Sequence, residues 1–227
     1  MITAICGSER NVGRTTVAIN LAAMLAQCGK NVVLIDASEN QDASKLVDNR
    51  TNSGAVDGGF FCVSATSPIT LALTVERLGR GFDEIIIDAD EDTAFAAASR
   101  CNQCLVIAGP RWDAKDDDES LVEAALKQNS KFRTHYVFNR CYPDFDLEWW
   151  EGITGELQFA ISTCEAVAAV SEGLAVTEQE KPNVAAIKEM KALFEELYGE
   201  FNHKPKVTKR IQDRCFGSQI EVYPIGT

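Results

Sequence analysis

Short unbroken apolar runs alternate along the chain with stretches whose apolar residues return every three to four positions. The first run, Ile2–Cys6, predicts a buried strand, and after a glycine-containing loop Val17, Ile19, Leu21, Ala22 and Leu25 predict a helix over Thr15–Cys28. Gly29 stops that helix and Asn31–Ile35 is the next strand. The stretch 40–68 is less regular and ends in a short strand, Phe60–Ser64. The same reading gives a helix at Ile69–Leu78, a strand at Glu84–Ile87 and a short alanine-rich helix at Thr93–Arg100. A strand at Cys104–Ala108 and a helix at Asp116–Asn129 follow, the helix opening on acids that complement its N-terminal dipole. A strand at Thr134–Phe138, a helix near 146–151 and a last core strand at Gln158–Ile161 come next. Helices at Glu165–Glu172 and Val184–Phe201 complete the series.

Strands that are apolar throughout belong to sheets covered on both faces, and strand–helix alternation implies parallel crossovers. The expected fold is a doubly wound α/β domain, with a mostly parallel sheet and helices on both faces, spanning residues 1–203. A basic extension follows over residues 204–227.

The 227 residues are 45% hydrophobic and 25% charged, an ordinary globular composition, and no apolar run approaches the roughly 20 residues needed to span a bilayer. The opening MITAICGSER lacks a basic region followed by a long apolar stretch, which places the expectation in the cytoplasm with reduced thiols. The net charge is −12. Residues 204–227 hold five bases and two acids, so residues 1–203 hold 17 bases against 32 acids. Such a body disfavours DNA as a partner.

Of eight cysteines, only Cys101 and Cys104 form a CxxC, which without a second pair reads as packing rather than a zinc site. Asp113–Glu119 reads as a solvated helix start rather than a metal site. Trp149 and Trp150, with Tyr142, Phe145 and Leu147, form an aromatic cluster that is either core or a lid or partner surface. In the tail Val207, Ile211 and Cys215 share a helical face between bases, which suits a solvated or partner-bound extension, anionic lipid or nucleic acid.

The candidate chemistry lies after the first strand, in Gly7-Ser8-Glu9-Arg10-Asn11-Val12-Gly13-Arg14-Thr15-Thr16. Strand, small-residue turn and helix N-terminus form the context in which backbone N–H groups and the helix dipole hold a phosphate. Against G-x-x-x-x-G-K-[ST], Ser8 replaces the first Gly and Arg14 the Lys, while Gly13 and Thr15 are kept.

Here the chain resembles a family: the ParA/MinD deviant Walker A P-loop ATPases of the SIMIBI class. That family's loop K-G-G-V-G-K-T-T and A-x-N-L-A helix align with residues 9–16 and 18–22. Its L-I-D-x-D-P-Q-G-N-A-S segment aligns with residues 34–44 and its D-x-I-I-I-D strand with Asp83–Asp88. Val137-Phe138-Asn139-Arg140 resembles the strand end that meets adenine, and Glu172-Gly173-Leu174-Ala175-Val176 a late E-G-x-x-V segment. The resemblance runs from Met1 to about Phe201 and marks the chain as a divergent member.

The resemblance implies ATP or ADP with Mg²⁺ as cofactors, held along Arg10, Asn11, Val12, Gly13, Arg14, Thr15 and Thr16. Arg14 would meet the β- and γ-phosphates, and Thr16 with the Gly13 backbone the α- and β-phosphates. Asn139 and Arg140 would meet the base. Thr15, Asp36 and Asp88 would serve the metal, Asp36 from switch I. Glu9 stands where the family's signature lysine crosses to a dimer partner, and a carboxylate there repels phosphate. Arg10 is a substitute only if the loop register shifts. Ser38 stands where a second switch-I Asp positions the attacking water, and serine brings no carboxylate. Asp90-Glu91-Asp92 replaces small or proline residues in switch II.

The implied function is a nucleotide-dependent switch with weak or partner-dependent hydrolysis. It would act in partition or positioning of a plasmid or other cargo, as a nucleotide-dependent homodimer with an adaptor or cargo protein. The alternatives are a pseudo-ATPase scaffold without nucleotide and an ATP-dependent ligase of the dethiobiotin-synthetase type.

Overall fold

The computed structural model describes residues 1–52, 59–109, 111–141, 158–162, 170–171, 174–179 and 183–202. Seven strands form one sheet: β1 (Ile2–Cys6), β2 (Val32–Ala37), β3 (Phe60–Ser64), β4 (Glu84–Ala89), β5 (Gln103–Ala108), β6 (Arg133–Cys141) and β7 (Gln158–Ser162). Their order is β3-β2-β4-β1-β5-β6-β7, and every pairing is parallel. Two short antiparallel strands, β8 (Val170–Ser171) and β9 (Leu174–Ala175), lead into a 3₁₀ turn, Val176–Glu178.

Successive strand residues face opposite layers, as the pleat requires. Ile5, Leu34, Ile86, Leu105 and Val137 pack towards α1 (Arg14–Gln27), α2 (Asp42–Asn52) and α6 (Val184–Tyr198). Ala4, Ile35, Ile87, Val106 and Phe138 pack towards α3 (Pro68–Leu78), α4 (Glu91–Ala98) and α5 (Lys115–Gln128). This is the doubly wound architecture expected from the unbroken apolar strands. The strand order turns around β1, so the carboxyl ends of β1, β2, β4 and β5 open on one edge, where such sheets hold ligands.

Two expectations are corrected. The stretch 40–68, read as irregular before its strand, contains α2, whose buried positions are only Ala43, Val47 and Arg50. A helix with so few apolar residues shows little periodicity. Glu165–Glu172 was expected to be helical, but Val170–Ser171 is extended and pairs with Leu174–Ala175. The rest of that segment, the helix near 146–151 and the aromatic cluster including Trp149 and Trp150 lie outside the described residues. The extension 204–227 lies outside them too. Cys101 and Cys104 are buried and free, and no group of three or more His, Cys, Asp or Glu side chains placed to hold a metal ion occurs among the described residues. No described helix is long and apolar enough to cross a membrane.

Candidate nucleotide site

The loop between β1 and α1 bends through three residues of positive φ: Gly7 (143°), Asn11 (58°) and Gly13 (94°). A Cβ at Gly7 would strike the Ile107 carbonyl oxygen, and one at Gly13 would strike the Asn139 amide, so both positions require glycine. Asn11 takes a left-handed conformation that asparagine tolerates better than most residues. Arg10 and Asn11 are exposed, whereas Ser8, Glu9 and residues 13–16 are half-buried.

A cleft of about 870 Å³ opens over this loop. It is lined by Ser8, Arg10, Asn11, Val12, Gly13, Arg14 and Thr15 on one side. Ser38, Glu39, Asn40, Asp42, Lys45, Asp88, Asp90, Glu91 and Asp92 line the rest. Six carboxylates against three cations would repel a triphosphate unless a divalent ion accompanied it.

Thr15 lies in the first turn of α1, its hydroxyl donating to Asp88 Oδ2 at 2.7 Å. Asp88 ends β4 beside Asp36 of β2, and its acidity is weakened to a pKa of about 7. Burial is the main cause, and the neighbouring Asp36 adds to it, while the Thr15 hydrogen bond and the Arg14 charge oppose it. A hydroxyl and a carboxylate so placed fit a hard cation that takes its other ligands from phosphate and water.

Asp36 is fully buried and occupied within the protein: Oδ1 accepts from the Ser38 hydroxyl (2.7 Å) and amide (3.2 Å), and Oδ2 from the Ser44 amide (2.8 Å). It shapes the turn into α2 and does not line the cleft. Ser38 lines the cleft but brings only the hydroxyl already given to Asp36.

Arg14 folds back over its own loop, donating to the carbonyl oxygens of Gly7 and of Glu9, the latter at 2.8 Å. Glu9 turns away from the cleft: Oε2 accepts from the Gly109 amide at 2.7 Å and Oε1 from the Ala114 amide at 3.4 Å. The phosphate repulsion expected of this carboxylate is thereby reduced by its direction. Asn139 is buried beneath the loop, where its amide donates to the Val12 carbonyl at 2.6 Å; it supports the loop and does not line the cleft. Thr16 lies behind the cleft lining, and its carbonyl accepts from the Asn20 amide at 2.9 Å. The Arg140 side chain lies outside the described residues.

The structural roles of several supporting residues escaped the sequence reading. Asp118, taken as part of a solvated acid run, is fully buried and accepts from the Ser8 amide (2.7 Å), the Ser8 hydroxyl (2.8 Å) and the Trp112 indole (2.8 Å). Its spacing with Val122 and Ala125 puts it on the buried face of α5, a signal present in the sequence. Asp90 caps α4 through the Thr93 amide (3.2 Å) and hydroxyl (2.9 Å) and also accepts from the Glu39 amide (2.8 Å). It therefore ties the loop after β2 to the loop after β4. Asn20, within α1, accepts from the Val176 amide at 2.9 Å and anchors the late 3₁₀ turn to the helix that carries Thr15.

Comparison with known proteins matches residues 3–215 to the family described as the CobQ/CobB/MinD/ParA nucleotide binding domain. The chromosome-partitioning ATPase Soj of Thermus thermophilus is 32% identical over a stretch covering 38% of this chain and 44% of that protein. The match thus spans less than half the length of that relative. Among solved structures, the MinD cell division protein of Aquifex aeolicus superposes with a TM-score of 0.69 at 19% identity, over 88% of this chain and 97% of its own. The septum site-determining protein MinD of Pyrococcus horikoshii, complexed with Mg-ADP, superposes at 0.65 and 17% identity, over 87% and 95%.

Proposed function

Because the chain belongs to the CobQ/CobB/MinD/ParA nucleotide-binding family, we propose that it is a nucleotide switch that binds ATP with Mg²⁺ and hydrolyses it slowly or only with a partner. The observation that carries this reading is the Thr15–Asp88 hydrogen bond across the mouth of a strand–loop–helix turn held open by Gly7 and Gly13. Bound Mg²⁺ would supply charge neutralisation to the phosphates. Thr15 would ligate it and Asp88 would hold a water of its shell, Asp88 being held ionised by that charge. Arg14 would exchange the Gly7 and Glu9 carbonyls for phosphate oxygens, and the loop amides of residues 10–16 would hold the phosphate chain.

Slow turnover is supported by Ser38, whose hydroxyl is spent on Asp36 and which has no carboxylate to orient a water. The partition relative supports a partition or positioning role, and the Mg-ADP in the fold neighbour supports a magnesium nucleotide as the ligand; a cytoplasmic location and nucleotide-dependent pairing of two chains are part of the same proposal. The basic extension 204–227 is the proposed attachment segment for an adaptor or cargo, since the acidic body is unsuited to DNA.

The test is light scattering of the purified chain with ATP, ADP and no nucleotide, alongside phosphate release. The reading expects a dimer with Mg-ATP alone and barely measurable phosphate release. Rapid release that Thr15→Ala abolishes would replace the slow switch with an efficient ATPase. A mass unchanged by nucleotide would remove the dimer.

A further inference from the structure

We infer that Glu9 and Asp118 are positioning residues that clamp the phosphate loop to the β5–α5 connection and the start of α5, taking over a task that loop glycines otherwise perform. The inference deepens the nucleotide-site reading and rests on it for its functional consequence.

The loop is poor in glycine between its two ends: Ser8, Glu9, Arg10, Asn11 and Val12 separate Gly7 from Gly13. Side chains narrow the conformations such a segment samples, but they do not select the concave one with inward amides. Selection here comes from outside the loop. Ser8 is held twice, through amide and hydroxyl, by one oxygen of the buried Asp118. Asp118's other oxygen accepts from the Trp112 indole, which packs on Tyr136 and Phe138 of β6 at centroid distances of 4.9 and 5.5 Å. The next residue, Glu9, reaches the amide of Gly109, the first residue after β5, and more weakly that of Ala114.

A Cβ at Gly109 would lie 2.8 Å from Glu9 Oε2, so a glycine there keeps room for this contact. Two consecutive loop residues are thus fixed, Ser8 to the first turn of α5 and Glu9 to the β5–α5 connection, by two carboxylates that each accept one backbone amide at a charge-assisted 2.7 Å. The same contact draws the Glu9 charge out of the cleft.

The amides of Ser8 and Gly109 report the clamp. Hydrogen exchange resolved to single residues is measured on the full chain as wild type, Glu9→Ala, Glu9→Gln and Asp118→Asn, each without and with Mg-ATP. In the wild type both amides are protected. Glu9→Ala accelerates exchange at Gly109 roughly tenfold, the loss of one charge-assisted bond, and loosens the loop, while α6 amides are unchanged. Glu9→Gln keeps a carbonyl acceptor and restores most of the protection. Asp118→Asn leaves one carbonyl oxygen for donors on two sides, so its NH2 group faces either the Ser8 amide, whose exchange then accelerates, or the Trp112 N–H, which is then displaced. Mg-ATP affinity falls several-fold in Glu9→Ala and recovers in Glu9→Gln.

Freely exchanging Ser8 and Gly109 amides in the wild type would overturn the clamp. So would an unaltered Gly109 in Glu9→Ala, or Glu9→Gln behaving as Glu9→Ala. A clamp verified by exchange in a chain that takes up no nucleotide would instead remove the nucleotide-site reading. Affinity unchanged in a Glu9→Ala loop that exchanges faster would remove the positioning role.

Discussion

Thr15 and Asp88 show how single residues gain meaning from their neighbours: a hydroxyl and a carboxylate 73 positions apart meet at 2.7 Å because β1 and β4 are adjacent. Both were legible in the sequence as the end of a strand–loop–helix turn and the end of an apolar strand. Asn139 and Glu9 were legible as candidates, but not in orientation: the folded chain turns the first to the Val12 carbonyl and the second to the Gly109 amide, and neither lines the cleft. Asp118 was misread because its neighbours Asp116 and Asp117 are exposed and hid its place on the buried face of α5.

His135 carries a further consequence at this scale. It is buried on β6, neither ring nitrogen is hydrogen-bonded among the described residues, and burial lowers its pKa from the ordinary 6.5, with Glu196 opposing that effect and Arg133 adding to it. The unfolded chain then takes up a proton that the folded chain excludes. The contribution of His135 is therefore fully present above 6.5 and is lost as pH falls through the lowered folded value. Thermal melts from pH 8 to pH 5 are expected to fall more steeply for the wild type than for His135→Leu. Parallel curves would show that this imidazole is not the acid-sensitive group.

At the scale of elements, the central strands β1, β2, β4 and β5 were readable because both their faces are buried, and the main crossover helices because their apolar residues recur. The helix α2 was not, since its place depends on contacts distant in sequence. Asp36 accepts the Ser44 amide near its start. Near its end Arg50 makes a two-bonded pair with Glu178, at 3.0 Å (Nε to Oε2) and 2.5 Å (Nη2 to Oε1), with both side chains almost wholly buried. The guanidinium also lies 4.8 Å from the centre of the Phe60 ring. Removing one partner strands the other charge in the interior, so Arg50→Ala is expected to lose about 3–5 kcal/mol in urea unfolding. Arg50→Met combined with Glu178→Leu is expected to recover most of that loss. A loss below about 1 kcal/mol for Arg50→Ala would mean that the pair is hydrated and contributes as little as a surface ion pair.

For the whole molecule, one parallel sheet gathers at its carboxyl edge the loop after β1, the acids after β2 and β4, and the carboxylate clamp at β5–α5. Architecture and family were legible from the order of motifs along the chain. The internal ties were not, because hydrogen bonds between segments 100 or more residues apart leave no periodic trace. The acid-rich cleft makes any triphosphate uptake depend on a divalent ion. Isothermal calorimetry with ATP, run with Mg²⁺ and with chelator, on the wild type and Thr15→Ala, measures that dependence. A saturable one-to-one heat with Mg-ATP, lost on chelation and weakened at least tenfold in Thr15→Ala, is the expected result. Absence of heat under every condition, or equal binding with and without Mg²⁺ and in Thr15→Ala, would contradict it.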